Sequence, residues 1–112
     1  AEYRGDYGWG YDGVDLFAPT RNHGRPDDLR RFVDAAHGLG LGVIHDVVYN
    51  HFGPDGNYTS AFSDHYVSSK HMTDWGPAVN YDAEHSGPVR EFVVANAGYW
   101  MDEFHFDGLR LD

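Results

Sequence analysis

The 112-residue chain has no cysteine, only 8 lysines and arginines against 18 aspartates and glutamates, and no long apolar run. Without cysteine there is no disulfide framework and no thiolate metal site, which suits a reducing compartment, so a cytoplasmic protein is expected. Clustered basic residues are absent and the formal charge is −10, so nucleic acid and anionic membrane are not expected as partners. Nowhere do about eighteen apolar residues follow one another, as a membrane-spanning helix requires. An initiator methionine, a basic start and a polar tail after Leu111-Asp112 are missing too, and the chain reads as truncated at both ends.

What is present is the material of a core. Apolar residues make up 41% of the chain and aromatics 16%, far from the composition of disorder. A short strand is expected near Gly13 to Phe17, closed by Pro19. A helix follows. Pro26 suits its first position, Asp27 and Asp28 meet the positive end of its dipole, and Leu29, Phe32, Val33, Ala36 and Leu39 recur at helical spacing before Gly38 and Gly40. Leu41 to Val48 is a β-branched run without alternation, the pattern of a parallel strand covered on both faces.

Phe52 to Tyr81 has no sustained period and reads as a long functional excursion. A second helix is expected from Ser86, its candidate cap, to about Glu103, with Val89, Phe92, Val93, Ala97, Trp100, Met101 and Phe104 on its apolar face. His105 to Asp112 then returns to a strand. Strand, helix, strand, long loop, helix, strand is the order of an α/β fold with adjacent parallel strands. The chain is one segment of a single domain, since no repeat or low-complexity linker interrupts it.

An aspartate inside an apolar strand, as Asp46 is, needs a cation or several donors. Arg110 on the last strand is the candidate, because neighbouring strands lie only about 4.8 Å apart. Asp112 shares the Arg110 face by strand alternation. Ligands of α/β folds sit at the carboxyl ends of parallel strands, so Asp46, Asn50, His51, Arg110 and Asp112 should line one rim. An arginine beside a carboxylate favours its ionised form, which suits a nucleophile. Asp107-Gly108, taken alone, reads equally well as a hairpin turn. The remaining histidines, His23, His37, His65, His71, His85 and His105, have no zinc spacing and read as surface or packing residues.

Asp46-Val-Val-Tyr-Asn50-His51 and Gly108-Leu-Arg110-Leu-Asp112 resemble the first and second signature regions of glycoside hydrolase family 13, the alpha-amylase family. The resemblance covers nearly the whole chain. It implies a partial (β/α)8 TIM barrel, about strands two to four, with the long loop after strand three. It implies that Asp112 is the catalytic nucleophile, that Arg110 positions and ionises it, that His51 and Tyr11 hold the sugar at the cleavage subsite, and that Asp46 supports them. Asn50 matches a position that binds calcium in many members but not in others, and no metal or other cofactor is expected. The general acid and a third carboxylate of the family fall after later strands, so this segment by itself is expected to be inactive and, with open sheet edges, to fold poorly.

Within the family, Asn50-His-Phe-Gly-Pro-Asp-Gly-Asn-Tyr58, Trp75-Gly-Pro-Ala-Val-Asn-Tyr-Asp82 and Ala97 to Gly108 resemble most the maltooligosyltrehalose trehalohydrolases, which release trehalose. An alpha-glucan or maltooligosyltrehalose is the implied substrate. A glucan branching enzyme and a non-catalytic glucan-binding relative are the alternatives.

Overall fold

The computed structural model describes residues 1–112 in full. Strand β1 (Glu2–Tyr3) pairs antiparallel with β2 (Gly13–Asp15). Helix α1 (Pro26–Gly38) leads to β3 (Ile44–Val47), a hairpin of β4 (Val67–Thr73) and β5 (Gly76–Val79) follows, and α2 (Ser86–Phe104) returns to β6 (Gly108–Leu111). β3 and β6 run parallel, with Asp46 opposite Arg110 and Val47 opposite Leu111. The Asp107-Gly108 hairpin reading is thereby excluded. Asp107 instead accepts from the Val43 amide (2.7 Å) and bonds the His37 ring (2.7 Å), which pins the start of β6 against the end of α1. The Val43 amide first and His37 second hold its carboxyl below the usual carboxylate range.

Helix α1 begins as its sequence dictates. Pro26 opens it, and the Asp28 carboxylate accepts from the Arg25 amide at 2.7 Å. Only Val33 of its apolar residues is buried; Phe32 and Leu39 stay exposed, a correction to the five-residue face. Helix α2 organises the interior. Trp100 and Phe104 pack with Val33, Val47 and Phe106 in one cluster, while Val89 joins Leu16, Phe52 and Val79 in a second. Between them the buried Asn96 accepts from the Tyr49 hydroxyl (2.7 Å) and the Trp100 indole (3.1 Å) and donates to the Leu16 carbonyl (2.7 Å). Every hydrogen-bonding end of Asn96 is therefore used, as burial requires.

Four expectations need correction. The Gly13 to Phe17 strand is shorter and pairs with β1, so β3–β6 is the one parallel pair. Ile44 and Leu111 are exposed, because the two-stranded β3–β6 sheet is covered on one face only. The excursion from Phe52 to Tyr81 contains the β4–β5 hairpin. Ser86 lies inside α2, whose start is set by His85 in the left-handed conformation (φ 60°). With a radius of gyration of 14.8 Å the chain is looser than the roughly 13 Å of a compact domain of its length.

Candidate active site

Parallel register brings the charged residues together. Asp46 and Arg110 are paired positions on adjacent strands, so their side chains leave the sheet on the same side. Arg110 Nη1 lies 2.8 and 3.1 Å from the two oxygens of Asp46 and 2.5 Å from Oδ1 of Asp112. The loop before β2 delivers Tyr11, whose hydroxyl donates to Asp46 Oδ2 at 2.7 Å. One guanidinium nitrogen thus joins two carboxylates, and Tyr11 completes the shell of one of them.

The electrostatics of this cluster are unequal. Arg110 first and the Tyr11 hydroxyl second hold the Asp46 carboxyl below its ordinary range, while Asp46 pushes the Tyr11 hydroxyl and the Arg110 guanidinium up. Asp46 is therefore fixed as a carboxylate. It cannot act as a proton donor near neutral pH. All three charged side chains are about a third to a half exposed, so the cluster contributes little to stability and mainly sets geometry.

His51 sits at the other side of the rim and is buried. Its Nδ1 is hydrogen-bonded to Asn50 Oδ1, its ring stacks on Trp75 (5.5 Å, 21°), and its Nε2 has no protein partner. Asn50 Nδ2 in turn donates to the main-chain oxygen of Asp112 at 3.1 Å. The β5 strand supports this end of the chain, through a bridge between His51 and Ala78 and a Val79 amide donating to the Asn50 carbonyl (3.0 Å). All five residues singled out by sequence, Tyr11, Asp46, His51, Arg110 and Asp112, are thus found along one rim. Trp75, within the Trp75–Asp82 segment, stacks on one of them.

The Asn50 amide is engaged at both ends, by the Asp112 main-chain oxygen and the His51 ring. A cavity of about 480 Å³ reaches Asp46 and is also lined by Leu29, Phe32, His45 and Trp100, without Arg110 or Asp112. His45, on its wall, stacks on Phe106 and meets the edge of Trp100, each at 4.6 Å, and was not distinguished by sequence from the apolar run around it.

Residues 4–88 match the family model described as the alpha amylase catalytic domain. The chain belongs to the alpha-amylase family. It is 50% identical to the malto-oligosyltrehalose trehalohydrolase of Deinococcus radiodurans, over the whole of this chain and 18% of that protein. The 1,4-alpha-glucan branching enzyme of Rhodospirillum rubrum is 42% identical, over the whole of this chain and 16% of its own length. A crystal structure from Salmonella typhimurium described as an alpha amylase superposes with a TM-score of 0.88 at 47% identity, covering 96% of this chain and 18% of that one. The chain therefore spans less than a fifth of these alpha-amylase-family relatives, and a partial barrel is the architecture that fits.

Proposed function

We propose that the chain is the part of an alpha-amylase-type (β/α)8 barrel around its second to fourth strands, with β3 and β6 as the third and fourth. The whole protein would hydrolyse alpha-1,4-glucosidic bonds with retention, releasing trehalose from maltooligosyltrehalose. The observation that carries this reading is Arg110 Nη1 placed between Asp46 and Asp112 with Tyr11 on Asp46. Asp112 attacks the anomeric carbon to give a glycosyl ester, which water then cleaves. Arg110 holds that carboxylate in line. Asp46 anchors Arg110, while Tyr11 and His51 line the space beside the nucleophile.

The leaving oxygen needs a proton, and the cluster has no carboxyl to supply it because Asp46 is held ionised. The acid must come from a residue outside the cluster, and the 112-residue chain alone is expected to be inactive on maltooligosaccharides. In the complete reading frame, a slow fluorinated glucosyl fluoride will leave a covalent label on the peptide containing Asp112; a label on another carboxylate would overturn the assignment. Products separate the two enzymatic readings that the relatives support. Free trehalose favours the hydrolase, and new alpha-1,6 branches favour the branching enzyme.

A further inference from the structure

We propose that Asn57 is a positioning residue that clamps β2 to the turn after β3 and thereby seats the Tyr11 hydroxyl on Asp46. The consequence for catalysis rests on the function proposed above; the seating of Tyr11 does not. Between β1 and β2, residues 4–12 form no regular element, and Tyr11 directly follows Gly10, whose backbone is left-handed (φ 86°). That side of Tyr11 offers little restraint. Tyr11 is therefore placed from its other side, where Gly13 opens β2 two residues later.

β2 pairs with β1, and the turn from Gly53 to Asn57 lies against it as well. The Gly53 amide donates to the Gly13 carbonyl at 2.9 Å, and a Cβ on Gly56 would meet Val14 Cγ1 at 3.4 Å. Asn57 closes this contact with a side chain. The Thr59 amide, which can only donate, lies 3.1 Å from one end of the Asn57 carboxamide, and the Thr59 hydroxyl lies 2.6 Å from the same end, which is therefore the oxygen. The other end is the NH2, and it donates to the Val14 carbonyl at 3.3 Å. Local bonds to Thr59 thus orient an amide whose free end reaches 43 residues back along the chain. The turn starts two residues after His51, just past β3, so holding β2 to it also fixes β2 against the strand that carries Asp46. The Tyr11 hydroxyl, 2.7 Å from Asp46 Oδ2, sits across that junction.

The test uses the full-length enzyme with 13Cζ-labelled tyrosine, the Tyr11 resonance being assigned by its loss in Tyr11→Phe. In the wild type that hydroxyl, bonded to Asp46, should titrate above the ordinary tyrosine range. Asn57→Asp keeps the oxygen that Thr59 needs but sets a second oxygen against the Val14 carbonyl. The Tyr11 titration should then fall back toward the ordinary range, and kcat/KM should drop about tenfold, the factor of one neutral hydrogen bond. Asn57→Ser, too short to reach Val14, should do the same without adding a charge. In a Tyr11→Ala background no ring or hydroxyl remains to be misplaced, so either substitution should cost less than about twofold more, whereas a merely structural role would cost the full factor again. An unshifted Tyr11 titration in both Asn57 variants, or a full second loss in the Tyr11→Ala background, would overturn the proposal. If the wild type hydrolyses no glucan, the function falls and the Tyr11 titration still decides the seating.

Discussion

Two histidines stand at opposite ends of the same stretch of chain, each with a buried Nε2 that makes no hydrogen bond. His45, within β3, lies among Phe106 and Trp100, and burial holds its pKa down to about 4. His51, beyond the end of β3, has Nδ1 engaged by Asn50 and one face covered by Trp75, and its covered Nε2 lies 3.9 Å from Asp12 Oδ1. A missing partner thus has two meanings. On the core side it is the cost of packing an imidazole as if it were an aromatic hydrocarbon. At the rim it belongs to a ring held between Asn50 and Trp75 beside a carboxylate just beyond hydrogen-bond reach.

The strongest way to break that contrast is to disturb what seats the rim. A Cβ on Gly53 would lie 2.4 Å from the Asp12 carbonyl oxygen, and the Gly53 amide donates to the Gly13 carbonyl at 2.9 Å. Gly53→Ala must therefore push the Tyr11-Asp12 loop outward. A loss of about 1–3 kcal/mol is expected from the overpacking, and kcat/KM should fall roughly 100-fold as Tyr11 leaves Asp46. Thermal melting and steady-state kinetics on the full-length protein check both. A variant with lowered melting temperature and undiminished kcat/KM would show that the loop is only a structural neighbour of the site.

The rim was largely readable in advance because it rests on regular geometry. Strand alternation puts Arg110 and Asp112 on one face, and parallel pairing brings Asp46 opposite Arg110. The elements that hold the rim were not readable. β4 is polar at Ser68 to His71 and has no alternating pattern, and β1 is too short to show any period. The start of α2 was misplaced because a left-handed His85, rather than a side-chain cap, begins it. Asn96 looks like a flaw in an apolar face until Tyr49, Trp100 and the Leu16 carbonyl are seen around it. His45 carries no local signal at all, since its meaning depends on Trp100 and Phe106, which are distant in sequence.

A smaller effect sharpens the core side of the comparison. Desolvation is the main cause of the lowered His45 pKa, with Asp46 opposing it. The unfolded chain protonates this ring near 6.5 and the folded chain only near 4. Between those values the unfolded state binds the extra proton, so stability is full above about pH 6.5, falls as the pH drops toward 4, and is flat with respect to this group below that. His45→Phe keeps an aromatic ring between Phe106 and Trp100 and removes the titration. Its urea-unfolding midpoint should vary less than that of the wild type between pH 6.5 and 4. An unchanged pH dependence would mean that His45 is not held neutral by its surroundings.

The smallest effect is expected where opposite charges meet in water. Arg4 and Asp55 form an ion pair near the rim, but their side chains are 62% and 69% exposed. Screening and the entropy of fixing two mobile side chains offset most of its attraction, so Asp55→Ala should change stability by no more than about 0.5 kcal/mol. The Arg110–Asp46 pair has comparable attraction and is also partly exposed, yet its distances to Tyr11 and Asp112 tie it to the rim. Measured side by side, Asp55→Ala should leave both melting temperature and kcat/KM near wild type, while Asp46→Ala leaves the first nearly unchanged and lowers the second. If Asp55→Ala also lowers kcat/KM, the Arg4–Asp55 pair belongs to the site, and the boundary of the rim must be drawn to include it.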